Sequence, residues 1–489
     1  MTDSNRVQLA FVDETTPGVT PGSPRMRKAR HTSAPLAFQP INTRSNEKRD
    51  DRMNSDPIRV GERNDGPVNF ELSWPVPDSF LSSLIESALN NAWENTPVRD
   101  NDGTADSVIT GVAETGGVYT VAAGAAFAAG HLARFTGFGE AGNNGLKKIT
   151  AGSATVPAVG GSAGVVDEAA PPAHARIKVV GFEGESGDIT ALADGLGSTS
   201  LDFTTLGLAV GQWIKIGGTG SAYRFGAEAL NGWARIAAIA ANKLTLDNRP
   251  AGWTTNDGAG KTLRVFFGDR IKNGDTGKPK TLERGYLGQA VPSYIAQRGM
   301  EVNELTLSIE ARREITGGVS LMGLGASVSN TPLDASPDPA PDSGIYRVMA
   351  ASANVNRIGE AGGQLSSPNY VRSAQLRLSN NLREIIAADN VATVALGRGS
   401  LDITVTLQTY FGDKSLYERM LAGTATSLDQ RIMDGNRALI IAYPRLTDID
   451  GNPDDGGSNT DIMLAQQKQA SFDSLTNAQI LIDRFEYTE

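Results

Sequence analysis

Alternation of apolar and polar positions is clearest between Gly399 and Gly423. Leu401, Ile403, Val405 and Leu407 alternate with Asp402, Thr404, Thr406 and Gln408, the period of a strand with one face in a core and one in water. After Tyr410 and Phe411, Gly412 interrupts the run and Asp413 is placed to accept hydrogen bonds from the first N–H groups of a helix. Leu416, Tyr417, Met420 and Leu421 then recur at helical spacing, and Gly423 supplies a left-handed stop. This register points the four aliphatic side chains at the helix and the four polar ones at solvent. The same unit occurs earlier. Val68, Phe70, Leu72 and Trp74 alternate, Pro75 and Pro77 break the strand, and Asp78 is placed as a cap. Phe80, Leu81, Leu84, Ile85, Ala88, Leu89 and Trp93 follow as a helical stripe, which reads as core packing and not as a cofactor box.

Around these two units the chain divides. Residues 1–33 form an N-terminal arm with a strand at Val7–Val12, a turn-rich connector, and a basic cluster of Arg25, Arg27, Lys28, Arg30 and His31. That cluster is expected to pair with carboxylates of an adjacent subunit. Strands at Ala34–Gln39 and Val68–Trp74 flank a polar stretch, Ile41–Gly66, too hydrophilic to bury itself. It predicts a projecting hairpin whose tip carries Arg49, Asp50, Asp51 and Arg52. Between residues 96 and 277 the composition turns to Ala, Gly and Val. There FAAGHLARFTG (127–137) aligns with LAVGQWIKIGG (208–218), and NNGLKKIT (143–150) with LNGWARIA (230–237). Each copy reads as a strand, a loop, an Asn-Gly turn and a second strand, so the region is a duplicated β insertion. Strands are also expected near 300–309, 319–322, 346–356, 373–379, 438–443 and 480–487. Residues 329–344, rich in Pro and Asp, form a linker. The fold predicted is mainly β: two similar antiparallel β-sandwich or barrel domains, 34–95 with 278–328 and 345–489, each with a short flanking helix, plus the insertion at 96–277.

Composition narrows the function classes. Fifty-five glycines and 6% aromatics in 489 residues suit a turn-rich β protein. A net charge of −10 argues against a surface built to grip nucleic acid and fits one past which DNA must slide. There is no cysteine, hence no disulfide, thiolate metal site or thiol nucleophile. No stretch approaches the roughly 20 strongly apolar residues of a membrane helix, and the N-terminus lacks a signal-peptide pattern, so the chain is expected to fold in a cytoplasm.

Candidate chemistry is sparse. His31, His131 and His174 stand singly and read as surface or turn residues. GAGKT (258–262) ends like a phosphate loop, but Thr255 replaces the first glycine and LRVFF reads as a strand where a helix is required. DIDGNPDDGG (448–457) spaces Asp448, Asp450, Asn452 and Asp454 like a calcium loop. Pro453 and Asn459 occupy the positions of the turn glycine and the bidentate Glu, so an acidic turn is the plainer reading. No catalytic, cofactor or metal residues are assigned, and the chain is read as a non-enzyme.

Several segments together resemble the tail tube (major tail) proteins of long-tailed bacteriophages. They are SNRVQLAFVDETTPGVTP, RVGERNDGPVNFELSWPVPDSFLSSLIESAL, QRGMEVNELTLSIEARREITGGVSLMG and LRLSNNLRE followed by LDITVTLQTYFGDKSLYERMLAGTATSL. The resemblance implies self-assembly into stacked rings, trimeric with pseudo-sixfold symmetry or hexameric, forming a hollow tube. DNA and the tape-measure protein would pass through it, with tail terminator and distal tail proteins as neighbours, in a virion tail assembled in the host cytoplasm. It makes Asp402, Thr404, Thr406 and Gln408 candidate lumen-facing residues and Arg49–Arg52 a candidate inter-ring loop. Two other classes are distinguishable: a glycan-binding adhesin, requiring exposed Trp213, Tyr223, Trp233 or Trp253, and a calcium-dependent hydrolase using Asp448 and Asp450.

Overall fold

The strand that organises the sequence, Asp402–Tyr410, lies inside a broad antiparallel sheet of a computed structural model that describes residues 6–454 and 456–489. From one side to the other run Ile58–Glu71, Thr316–Met322, the 304–310 end of Ser293–Glu310, Val371–Ser379, Asp402–Tyr410, Met463–Ala470 and the 447–453 end of Arg437–Pro453. Alternation holds throughout. Ile403, Val405 and Leu407 are buried, with Leu401 partly so, while Asp402 and Thr406 are exposed and Thr404 and Gln408 half-buried. The register aligns Leu376 with Val405 and Leu307, so the reverse of these three strands is one aliphatic layer.

That layer is closed by a helix, Phe80–Leu89, from the first half of the chain. Phe80, Leu84, Ile85, Ala88 and Leu89 share a single core with Val405 and Ile441 of the second half. Ser79 caps the helix, accepting from Ser82 N at 3.3 Å, whereas Asp78, the expected cap, sits one residue too early with φ +60°. The second helix, Ser415–Leu421, has Lys414 at its cap position; Asp413, one residue earlier, still accepts from Ser415 N at 2.8 Å, and the helix ends before Gly423 at φ +59°. It buries only Leu416 and lies against the 437–453 strand, so the 402–410 aliphatic row faces the first helix more than the second.

The two halves meet edge to edge. Residues 304–310 pair with 373–379, and among the described residues a continuous 17-stranded sheet results, with no barrel closure. Within the chain, three arginines of the basic cluster already have partners, where the sequence pointed to carboxylates of an adjacent subunit. Arg25 pairs with Asp338 at 2.7 Å, Arg27 lies 3.8 Å from Asp78, Arg30 donates to Tyr346 O, and Met26 N donates to Asp334. These contacts also fasten the 329–344 segment to the body.

The insertion has its own sheet and core, in which Phe135, Ile177, Ile214 and Ile236 are completely buried. The two aligned segments pair alike. His131–Thr136 pairs with Gly145–Lys148 so that Phe135 faces Gly145, and Trp213–Ile216 pairs with Gly232–Ala240 so that Ile216 faces Gly232. The Asn-Gly pair does not make a two-residue turn. Asn144 instead brackets Phe138, accepting from its N–H at 3.0 Å and donating to its carbonyl at 2.9 Å, and Asn231 does the same to Phe225. Each asparagine thereby buckles a longer loop.

Candidate functional site

The exposed face of the broad sheet carries the residues singled out from the sequence. Across the register, Asp402, Thr404, Thr406 and Gln408 stand level with Ser379, Arg377, Gln375 and Ser373 on one side, and Thr404 and Thr406 with Gln469 and Gln467 on the other. Glu304, Thr306, Ser308 and Glu310 continue the row, then Ser320, Gly318 and Thr316, then Asn69 and Glu71. At the opposite margin Asp450 faces Gln467. The acids of this face are Glu71, Glu304, Glu310, Asp402 and Asp450; its base is Arg377, ion-paired with Glu304. Hydroxyls and amides fill the rest, and Asp402 is held by the Asn381 amide at 2.8 Å. Such a surface is acidic and wettable, with Tyr410 at the end of the Asp402 row as its exposed aromatic among the described residues.

Beneath it, buried charge fixes the sheet. Lys468, level with Val405 and pointing inward, donates to Glu360 at 2.9 Å and Asp448 at 2.7 Å, and Arg419 of the second helix reaches Glu360 at 3.2 Å. Burial pushes the Asp448 carboxyl up. Residues 448–453 are therefore the end of a long strand, neither calcium loop nor turn. Among the described residues no group of acids or histidines is arranged to hold a metal. Residues 258–262 form a loop followed by the Arg264–Phe266 strand, as the failed phosphate-loop pattern required.

At one end of the sheet a hairpin projects. Ala37–Thr43 pairs with Ile58–Asp65, so much of the polar stretch is strand and residues 44–57 are the tip. Arg49 grips Asp51 through Nε at 3.0 Å and Nη2 at 2.5 Å, which holds the Asp51 carboxyl below its ordinary value; Arg49, Asp50, Asp51 and Arg52 are all exposed. A second hairpin, not foreseen in the sequence, leaves the same end between Ser379 and Asp402, where Arg383–Ile385 pairs with Ala395–Gly397. Its root is Asn380, buried, donating to Ala88 O at 3.0 Å and Val302 O at 2.8 Å. The IIAADNVATV run, apolar around a polar Asp-Asn pair, was the sequence signal.

The insertion is docked on the C-terminal strands by groups that pattern reading also missed. Lys178 and Arg484 converge on Asp269 at 2.6 and 2.9 Å; burial works to raise that carboxyl, but the two cations outweigh it and hold it at about 2. Trp213 and Trp233 pack with Ala438, Ile440 and Phe485, with the Arg431 guanidinium 4.7 Å from the Trp233 ring centre. Tyr223 lies under Arg264, and Trp253 donates to Leu192 O. These aromatics are structural, so the glycan-binding reading loses its platform. His131 is likewise buried, not a surface residue: Nδ1 accepts from Ala128 N at 2.9 Å, as Gln212 accepts from Ala209 N at 3.1 Å in the other copy. Burial pushes its imidazole down. His174 is exposed and His31 half-exposed.

No curated protein matches the sequence. The family model described as phage tail tube protein matches residues 4–474, nearly the whole chain. With an open antiparallel β architecture, a wide polar sheet face and projecting hairpins, this chain belongs to the phage tail tube protein family and is a structural component of a virion tail that works in an oligomeric assembly.

Proposed function

We propose that the chain assembles into stacked rings whose bore is lined by the polar sheet face, and that duplex DNA and the tape-measure protein pass along it. The observation that carries this reading is the continuous seven-strand face, acidic and hydroxyl-rich in front and backed by an aliphatic layer with the Lys468 ion-pair cluster at one margin. Carboxylates repel phosphate, so a duplex inside such a wall stays mobile. Asp402, Thr404, Thr406 and Gln408 lie near the middle of that wall.

Ring closure requires sheet margins to join between neighbours. Among the described residues, no strand covers the outer side of 447–453, where Ile449 is exposed. Stacking uses the projecting tip with Arg49–Arg52. Residues 34–95 with 278–328 and residues 345–489 act as two tube units, so three chains present six. The 96–277 insertion decorates the outside, and its separate core supports that division. Assembly takes place in the host cytoplasm, with terminator and distal tail proteins at the ends; no cofactor or catalysis is involved. Negative-stain microscopy of the purified protein is expected to show rings or tubes with a central channel. Protein that stays monomeric at every concentration and salt tested would overturn the reading.

A further inference from the structure

The second hairpin exposes a cluster of apolar side chains. Ile385, Ile386, Val391 and Val394 are 46%, 77%, 46% and 48% exposed, and the 385–394 segment bears a single charge, Asp389. Apolar surface so concentrated on a projecting tip marks a contact site. The hairpin follows the C-terminal end of the Val371–Ser379 strand. At the other end of that strand a groove of about 270 Å³ opens between Ile309, Val355, Leu365, Tyr370 and Val371. Its lining includes two arginines, Arg357 and Arg372, and no carboxylate.

We infer that the 385–394 tip of one copy of this chain seats in the groove between Ile309 and Tyr370 of a second copy. Three features support it. The tip is apolar, and the groove offers it Ile309, Val355, Leu365 and Val371 among polar side chains. Their charges are complementary, the one acid of the tip matching Arg372 in the groove, where Arg357 is already ion-paired with Asp429 at 3.1 Å. They also lie at opposite ends of a nine-residue strand, roughly 30 Å apart, so a tip cannot fill its own groove. A contact between different patches of identical chains closes into a ring or propagates along an axis according to the rotation between copies, and patches at opposite ends of one strand suit propagation. This contact rests on the tube reading and adds a second, apolar stacking contact to the polar 44–57 tip, which leaves the sheet at the same end.

The absence of cysteine makes the test direct. Asp389→Cys and Arg372→Cys are introduced together, and assembled protein is oxidised. A disulfide needs α-carbons within about 7 Å, so the pair can close only between copies. The expected result is a ladder of covalent multimers, abolished by reductant and absent from either single variant. Tubes that form normally but give no ladder, or a ladder from D389C alone, would overturn the inference while leaving the tube reading intact. Wild-type protein that never forms rings or tubes would remove both. Should the double variant fail to fold, charge reversal decides. D389R and R372E are each expected to block stacking and together to restore it; tubes unaffected by either single reversal would refute the contact.

Discussion

Single side chains carry the sharpest consequences where charge is buried. Asp483 has no formal ion pair: its Oδ2 accepts from Trp213 N at 3.2 Å, its Oδ1 has no hydrogen-bond partner, and burial pushes its carboxyl up to about 7. Between the unfolded value near 4 and about 7 the native state therefore holds a proton that the unfolded chain has released. Stability contributed by this residue falls as pH rises through that window, by roughly 4 kcal/mol in all. Asp483→Asn is expected to be close to neutral at pH 4 and stabilising at pH 8 in denaturant unfolding. A variant no more stable than the parent at pH 8 would refute the assignment. Asp269 has the opposite sign. Held at about 2 by Lys178 and Arg484, it stabilises above the unfolded carboxylate value and loses that contribution as pH falls toward 2. Asp269→Asn leaves two buried cations short of a counter-charge and is expected to cost roughly 3–5 kcal/mol, read as a lowered unfolding midpoint at pH 7.

Among the elements, the hairpins depend on what holds their roots. Gly66 has φ +145°, and a Cβ there would lie 2.7 Å from the Leu36 Cα, so the backbones of the two strands touch where the first hairpin leaves the sheet. Gly66→Ala is expected to disturb the 37–43 pairing first, seen as faster amide exchange in that strand with little change at 402–410. Asn380 plays the same part for the second hairpin. Asn380→Ala orphans two buried carbonyls and is expected to destabilise by roughly 2–4 kcal/mol, measured by denaturant unfolding. Much at this scale was legible in the sequence. The 402–410 alternation and Asp413 are where the pattern put them, because a strand with one wet face and a helix start are set by neighbours a few residues away. The cap at Ser79 in place of Asp78 was not, since the two prolines leave the exact start of the helix to its packing.

For the whole molecule, the decisive feature is the charge of the wide sheet face. Replacing Thr404 and Thr406 by lysine puts two cations among its acids without touching the core, because both side chains point away from the aliphatic layer. The double variant is expected to fold and assemble, and to retain duplex DNA in a salt-dependent way that the parent does not, in a filter-binding assay at low and high salt. Retention by neither protein would argue that this face does not line the path of DNA. The insertion belongs to this scale too. Its repeat was readable at two segments, but Trp213 and Trp233, plausible as exposed platforms in the sequence, are buried against Ala438 and Phe485 from strands over 200 residues away.

The sequence by itself determined the local units: the strand and helix of 399–423 and their echo at 68–93, the duplicated hairpins of the insertion, and the polar stretch at 41–66. Each follows from residue spacing, because hydrogen-bond periodicity and turn chemistry act over a few positions. Tertiary structure alone decided that 304–310 joins 373–379 to make one sheet of two halves, that the basic cluster closes on Asp338 and Tyr346 of its own chain, and that a second hairpin leaves the sheet beside the first. Those outcomes depend on pairings between segments far apart in the chain, where many partners satisfy the same pattern and only packing of the shared core selects one.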